Sequence, residues 1–320
     1  MDRLQKEMEE FKNIAIDTVY FGGGTPSLLP EKLIENLMDG IFKNFKVEKN
    51  AEITIEVNPG TVDFGKLKTY RKIGINRLSV GVQSFNDDML KILGRLHNSA
   101  QAQDIIKAGF ETGFSSISAD LMFSYKGQTE KVWESDLKKI NELEIPHVSC
   151  YGLKVEEGTP FHTGGMKNLD EDTDRKLQQL TVEFLKNVAF NRYEISNYAK
   201  PGFESKHNLH YWHCDEYVGL GAGAHSYMFG KRYNNILSPE AYILSENVKE
   251  NIITLSEDDK KTEKLIMGMR LSEGVGEEFA ANKQALEKYI TLGYILRNNG
   301  TISFTDKGFD VSNYILSDII

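Results

Sequence analysis

Two cysteines in 320 residues, Cys150 and Cys214, cannot build a disulfide framework, and no CxxC pair occurs. Two thiolates do not complete an iron–sulfur or structural zinc site unless other residue types supply the remaining ligands. Positive charge is also short: 38 Lys and Arg face 47 Asp and Glu, a net charge of −9, which disfavours a broad nucleic-acid-binding surface. No apolar run approaches the roughly 20 residues needed to span a bilayer, so no transmembrane segment is expected, although peripheral membrane association stays open. The opening stretch Met1–Asn13 is charged and helical in pattern, with no apolar core of a signal peptide. A reduced, cytoplasmic location follows as the default. Low-complexity segments are absent as well.

What is present is globular. Hydrophobic residues make up 40% and charged residues 27%, enough for a sizeable core without covalent staples. The length suits one large α/β domain with an appended module, or two domains. Leu4, Met8 and Phe11 recur at helical spacing. A strand over 17–21 then runs into Gly22-Gly-Gly-Thr-Pro26, and Leu33, Ile34, Leu37, Met38, Ile41 and Phe42 mark an amphipathic helix. Strands over 52–57, 77–82, 115–122 and 147–153 alternate with helices over 63–73, 99–111 and 129–143, which implies βαβ units and a parallel sheet. Because such a unit normally starts on a strand, one strand is expected to be missing ahead of Met1.

Beyond residue 170 the rhythm changes. A helix over 171–188 precedes an expected strand, Tyr193–Ser196, then a histidine- and aromatic-rich stretch and the glycine-rich segment Gly219–Ser226. From about 258, helices over 260–270 and 283–292, an Asn298-Asn-Gly300 hairpin signal and a final helix over 307–320 suggest a winged-helix-like module. The expected organisation is therefore 1–235 for the sheet domain and its extension, 236–257 for a connecting segment and 258–320 for the module.

Ligands of parallel α/β sheets bind at the C-terminal ends of the strands. Gly22–Gly24 lets backbone approach a ligand and offers open N–H groups, though a glycine cluster alone favours a tight βα turn. It is neither GxGxxG nor a Walker loop. Glu56, Gln83 and Asp120 lie at or near the ends of successive strands. Each alone reads as a solvated loop group, but together they favour a site for a ligand with several hydrogen-bonding groups. Arg95 could neutralise a ligand carboxylate, or simply be a surface charge. His97 and His162 read as loop histidines. His207, His210 and His213 in His207-Asn-Leu-His-Tyr-Trp-His213, with His225 beyond, concentrate four of seven histidines. In a helix, the three would share roughly one face, but spacing alone favours local hydrogen bonding over a metal site. Tyr211, Trp212, Phe203 and Tyr217 read first as packing residues, though a flat conjugated macrocycle would use the same faces.

The order Tyr20-Phe-Gly-Gly-Gly-Thr-Pro-Ser27, Glu56-Val-Asn-Pro-Gly60, Gly74–Phe85, Leu93-Gly-Arg-Leu-His97 and Asp120-Leu-Met122 resembles the radical S-adenosylmethionine (SAM) family of oxygen-independent coproporphyrinogen III oxidases. Within it, His207-Asn-Leu-His-Tyr-Trp212 resembles the HNxxYW motif of the HemW-type haem chaperone branch. The resemblance implies an α/β fold: a partial (β/α)6 barrel, here without its first strand, that holds SAM across its strand ends, plus the C-terminal module. It further implies that Gly23, Gly24 and Thr25 contact the amino-acid end of SAM and that Glu56, Gln83, Arg95 and Asp120 make other SAM contacts. His207 would ligate haem iron, with Asn208, Tyr211 and Trp212 shaping its surroundings.

Departures from the family pattern accompany the match. Relatives carry a further strand and a CxxxCxxC loop whose thiolates bind a [4Fe–4S] cluster, and this chain is expected to start after both. Ser124-Tyr-Lys126 replaces a usual Gly-Leu-Pro, and Ser205 stands where many relatives have cysteine. The implied function is a haem-binding chaperone that delivers haem to acceptor proteins, with a SAM-binding barrel and no radical chemistry in this chain. Two alternatives are a coproporphyrinogen III oxidase in the intact protein and a cofactor-free, decayed paralogue.

Overall fold

The structure, a computed structural model, describes all of residues 1–320. Helix α1 (Asp2–Glu10) leads to β1 (Ala15–Phe21), α2 (Glu31–Asn44) and the long strand β2 (Lys46–Val57). Alternation continues through α3 (Phe64–Lys72), β3 (Arg77–Gln83), α4 (Asp87–Ile92), α5 (Ser99–Glu111), β4 (Ser116–Phe123), α6 (Glu130–Glu142) and β5 (His147–Gly152). Next come α7 (Pro160–Thr163), α8 (Glu171–Asn187), β6 (Asn191–Arg192), β7 (Asn197–Ala199) and α9 (Lys206–Trp212). A hairpin of β8 (His225–Met228) and β9 (Lys231–Asn235) precedes α10 (Pro239–Leu244) and β10 (Lys249–Thr254). The chain ends with α11 (Glu257–Gly268), β11 (Val275–Gly276), α12 (Lys283–Thr291), β12 (Ile295–Asn298), β13 (Thr301–Phe304), α13 (Asp306–Phe309) and α14 (Ser312–Ile319).

Two compact units divide the chain: a sheet unit, Thr18–Met38 with Asn50–Glu204, and a terminal unit, Met1–Asp17 with Asp39–Lys49 and Ser205–Ile320. One curled sheet has the order β1-β2-β3-β4-β5-β7-β6. Strands β2 to β5 pair in parallel, and β7 and β6 join antiparallel. Period-two alternation explains the sheet's two faces. Ile55, Leu78, Val80, Ile117, Ala119, Leu121 and Val148 point one way and are fully buried. Glu56, Ser79, Ser118 and His147 point the other way and lie in register across four strands. One face therefore packs beneath helices while the opposite face is polar.

The helices begin where polar caps occur. Asp63, Asn98, Thr129 and Asp170 each accept a backbone N–H at the starts of α3, α5, α6 and α8. Trp133 of α6 is fully buried, stacks on Phe123, and donates its Nε1–H to Thr181 Oγ1 of α8 at 2.8 Å. These bonds fix the α6–α8 layer.

The strand expected at Tyr193–Ser196 is instead the turn between β6 and β7. Arg192 donates to the carbonyls of Glu194 and Ile195, and the buried Glu194 carboxylate accepts Ser196 N–H, so local partners satisfy this backbone. The expected final helix is two helices, α13 and α14, separated at Asp310 and Val311. Residues 236–257 contain α10 and β10, and α4 is a helix for which no expectation was drawn.

In the terminal unit, α1 buries Met8 and Glu7, as its spacing predicts for Met8. The Glu7 carboxylate accepts Gly221 N–H at 3.0 Å, the Tyr242 hydroxyl and the Asn235 amide. It is thus a buried charge with several donors, and it ties α1 to the glycine-rich segment. Strands β10-β9-β8 form one small sheet and β11-β13-β12 another. The β12–β13 hairpin turns on Asn299 and Gly300, both at positive φ (49° and 81°), as the Asn-Gly signal predicts.

Candidate functional site

The polar face of the sheet unit opens into a cavity of about 360 Å³. Among the expected residues, Gly24, Thr25, Glu56, Gln83, Arg95 and Asp120 line it. Gly23 is beside them through its backbone N–H, which Glu56 accepts. Gly23 sits at φ 104°, a conformation that favours glycine. Gly22 is required for a different reason: a Cβ there would come within 2.8 Å of the Tyr20 ring.

Donors surround both carboxylates. Tyr20 donates its hydroxyl to Glu56 at 2.9 Å. Asp120 accepts from Ser149 at 2.8 Å, Ser79 at 2.9 Å and, more weakly, Ser118 at 3.4 Å. Ser118 is in turn 2.7 Å from His147 Nδ1, and His147 Nε2 is 2.7 Å from the Tyr193 hydroxyl. Burial pulls the His147 imidazole well below its ordinary value, so the ring is neutral. One consistent polarity runs from Tyr193 through His147 and Ser118 to Asp120. Burial raises the affinity of Glu56 and Asp120 for protons, opposed by these hydrogen bonds.

Arg95 also lines the cavity, where burial lowers its guanidinium from its ordinary value, and no side-chain partner within the protein holds it. Two carboxylates and one free guanidinium suit a ligand with a carboxylate and an excess of positive charge. SAM has that pattern, with a carboxylate, an ammonium and a sulfonium, so the donor set fits it.

Sequence reasoning did not single out Tyr20, Ser79, Ser118, Ser149, Asn58, Gly81 or Tyr151. Asn58 donates to Thr25 Oγ1 at 3.1 Å, and a Cβ on Gly81 would lie 2.7 Å from Asn58 Oδ1. The register places the serines on the polar face, with Ser79 paired to Glu56 and Ser118 and with Ser149 paired to Asp120. Gln83, at φ 66°, ends β3 in a left-handed turn.

In the terminal unit, α9 carries His207, Asn208, Tyr211 and Trp212. Ser205 caps it by accepting Asn208 N–H, which accounts for a hydroxyl at that position. His207 Nε2 lies 2.8 Å from the Tyr211 hydroxyl, and the Tyr211 ring meets His207 and Tyr217 edge-on. Burial, with the neighbouring His210 adding to it, pulls His207 down to about 4, so its imidazole is neutral near pH 7. Asn208 and Trp212 are half-buried on the same helix. The histidines do not converge on one point. His210 bridges Asp17 at 3.0 Å and Asp215 at 2.8 Å, and His213 meets Glu273 at 2.6 Å. His207 with Tyr211 and His210 with Asp215 bond locally, while Asp17 and Glu273 come from distant parts of the chain; no group of three His, Cys, Asp or Glu side chains is set to hold a metal ion. A neutral, half-buried imidazole beside aromatic rings nevertheless fits a haem iron ligand.

The two cysteines present do not supply the three thiolates by which a CxxxCxxC loop holds a [4Fe–4S] cluster. Cys150 is buried in β5, where burial pushes its thiol up, and Cys214 belongs to the other unit. No step is routed through such a cluster.

Residues 1–140, which carry the triglycine turn, Glu56, Arg95 and Asp120, match the family model of the radical SAM superfamily, and this is the class of the sheet unit. The fold is that of coproporphyrinogen III oxidase (HemN) from Escherichia coli, with a TM-score of 0.86 at 21% identity, over 99% of this chain and 82% of that one. The chain belongs to the HemW family. It is 34% identical to the "Heme chaperone HemW" of Lactococcus lactis, over 99% of this chain and 90% of the relative. The protein of the same name from Haemophilus influenzae is also 34% identical, over 95% of this chain and 84% of the relative. No helix is long and apolar enough to cross a membrane.

Proposed function

We propose that this chain is a haem-binding chaperone that takes haem as cargo at His207 and passes it to acceptor proteins, while the sheet-unit cavity holds SAM. The observation that carries the haem reading is the His207 imidazole, kept neutral by burial on the edge of the Tyr211–Tyr217 aromatic pair. A protonated histidine cannot ligate iron, so this environment suits the task at neutral pH. Asn208 and Trp212 shape the surroundings of that ligand, and Tyr211 shields it. The name "Heme chaperone HemW" borne by the relatives supports the same reading.

In the cavity, Arg95 would meet the SAM carboxylate, while Gly23, Gly24 and Thr25 offer backbone and hydroxyl groups to its amino-acid end. Glu56, Gln83 and Asp120 would accept or donate hydrogen bonds to the rest. SAM can supply a sulfonium leaving group; this chain's residues bind and orient it. In this reading, residues 1–235 form the binding barrel and its extension, 236–257 the connector and 258–320 an accessory module.

Haem titration followed by the Soret band, on the wild type and on His207→Ala, tests the proposal. Loss of the ligated spectrum in the variant is expected. Identical spectra and affinity would remove His207 as the ligand. Calorimetry with SAM tests the cavity, and a chain that bound neither SAM nor haem would be the cofactor-free paralogue instead.

A further inference from the structure

The end of β3 contributes Gln83 to the cavity and the segment before α5 contributes Arg95, yet neither α4 nor any side chain holds the Arg95 guanidinium. The backbone that carries it is fastened at both ends. His97 is 7% exposed, and its Nε2 lies 3.1 Å from the Val82 carbonyl. A carbonyl only accepts, so the ring donates from Nε2. This bond joins the residue before Gln83 to the residue two beyond Arg95. Asp136 of α6, 1% exposed, fastens the intervening turn. Its Oδ2 accepts the Ser84 hydroxyl at 2.7 Å and its Oδ1 accepts Phe85 N–H at 2.7 Å. Ser84 Oγ then accepts Asn86 N–H at 3.0 Å, and Asn86 caps α4, whose end carries Gly94 at φ 67° and Arg95.

We propose that His97 and Asp136 are positioning residues for the ligand cavity: the His97–Val82 bond sets the spacing of Gln83 and Arg95, and Asp136 locks the turn between them. The inference rests on the reading of this cavity as a SAM site, with Arg95 at the ligand carboxylate. A histidine that merely filled the core would support both ends of a ligand alike. A positioning histidine supports the end that Arg95 meets. Pre-set backbone placement matters here because a segment free to shift would add its own ordering cost to that of the arginine side chain on binding.

Calorimetry on the full chain separates the two, using SAM and methylthioadenosine, which keeps the adenosine and thioether but lacks the amino-acid portion. In His97→Met, which fills the space without an N–H donor, the Kd for SAM is expected to rise about tenfold while that for methylthioadenosine changes less than about twofold. His97→Gln, whose amide can donate in place of Nε2–H, is expected to recover most of the loss. Asp136→Asn provides a second perturbation of the same kind should His97→Met lower the melting temperature. An equal effect on both ligands, or no effect on SAM in variants that melt like the wild type, overturns the positioning role. Arg95→Ala tests the underlying reading separately. If it leaves SAM affinity unchanged, or the wild type binds neither ligand, the SAM reading of the cavity fails and this inference fails with it.

Discussion

Glu56, Ser79, Gln83 and Asp120 reach the cavity of the sheet unit from three strands, and Thr25 and Arg95 reach it from loops, whereas His207, Asn208, Tyr211 and Trp212 all come from one seven-residue helix. The first site exists only if the sheet registers correctly, because a one-residue slip would turn Glu56, Ser79 and Asp120 to the opposite face. The second requires only a capped helix and its aromatic neighbours. The distributed site should therefore depend on global stability, and the local one on the state of a few side chains.

The largest expected effect tests that dependence directly. Trp133→Ala removes a fully buried indole and its bond to Thr181, so the sheet unit should lose about 3–5 kcal/mol, read from a urea melt. SAM binding should fall with it. If SAM affinity persisted in a chain destabilised to that extent, the cavity would not depend on sheet packing as the register implies.

Next in size is a crossed pair of substitutions. Asp120→Ala removes an acceptor shared by Ser79, Ser149 and Ser118. Loss of a charged hydrogen bond costs about 1.5–3 kcal/mol, so SAM affinity should drop by about tenfold to a hundredfold. Haem titration of the same variant should be unaltered, and His207→Ala should show the reverse pattern. A variant that damaged both ligands equally would erase the distinction between the sites.

How far each site could be read from sequence follows from the same contrast. Strand ends are visible as apolar runs closing on Glu56, Gln83 and Asp120, and the βα rhythm gives the sheet. What alternation along one strand cannot reveal is which residue lies opposite on the next, so Ser79, Ser118 and Ser149 emerged only with the register. His97 looked like a loop histidine because its partner is a backbone carbonyl 15 positions earlier. The turn at Tyr193–Ser196 was hidden by strand-forming side chains whose backbone finds local partners instead. On α9 the opposite holds: the motif was legible, but the carboxylates of Asp17 and Glu273 that occupy His210 and His213 lie far away in sequence.

Proton affinity sharpens the local site. His207 lies below its ordinary value, so the unfolded chain binds the proton more readily than the folded one between about pH 6.5 and 4. Its contribution to stability is present above that window and lost as pH falls through it. Burial pulls His210 down, but the carboxylates of Asp215 and Asp17 outweigh it and hold the imidazole above its ordinary value. Its contribution has the opposite sign, fully present below about pH 6.5 and lost as pH rises through the raised value. The protection of the α9 amides, taken relative to their intrinsic exchange rates at each pH, should therefore be greatest near pH 6.5. In His210→Ala the acid-side loss should be smaller and be complete at a higher pH, because a neighbouring positive charge that held His207 down is gone. A protection profile flat from pH 4 to 8 would contradict both assignments.

The smallest effect concerns Ser205. Its hydroxyl accepts Asn208 N–H at 3.4 Å, a long bond, so Ser205→Ala should destabilise α9 by no more than about 1 kcal/mol, visible as faster exchange confined to the first turn. Ser205→Cys asks a further question, because a thiol is a weaker acceptor yet a better iron ligand. The variant should fray the first turn much as Ser205→Ala does. If the position can serve as an accessory ligand, the Soret band should shift only in the cysteine variant. An unshifted band with the same fraying would assign Ser205 to the helix cap alone and leave iron ligation to His207.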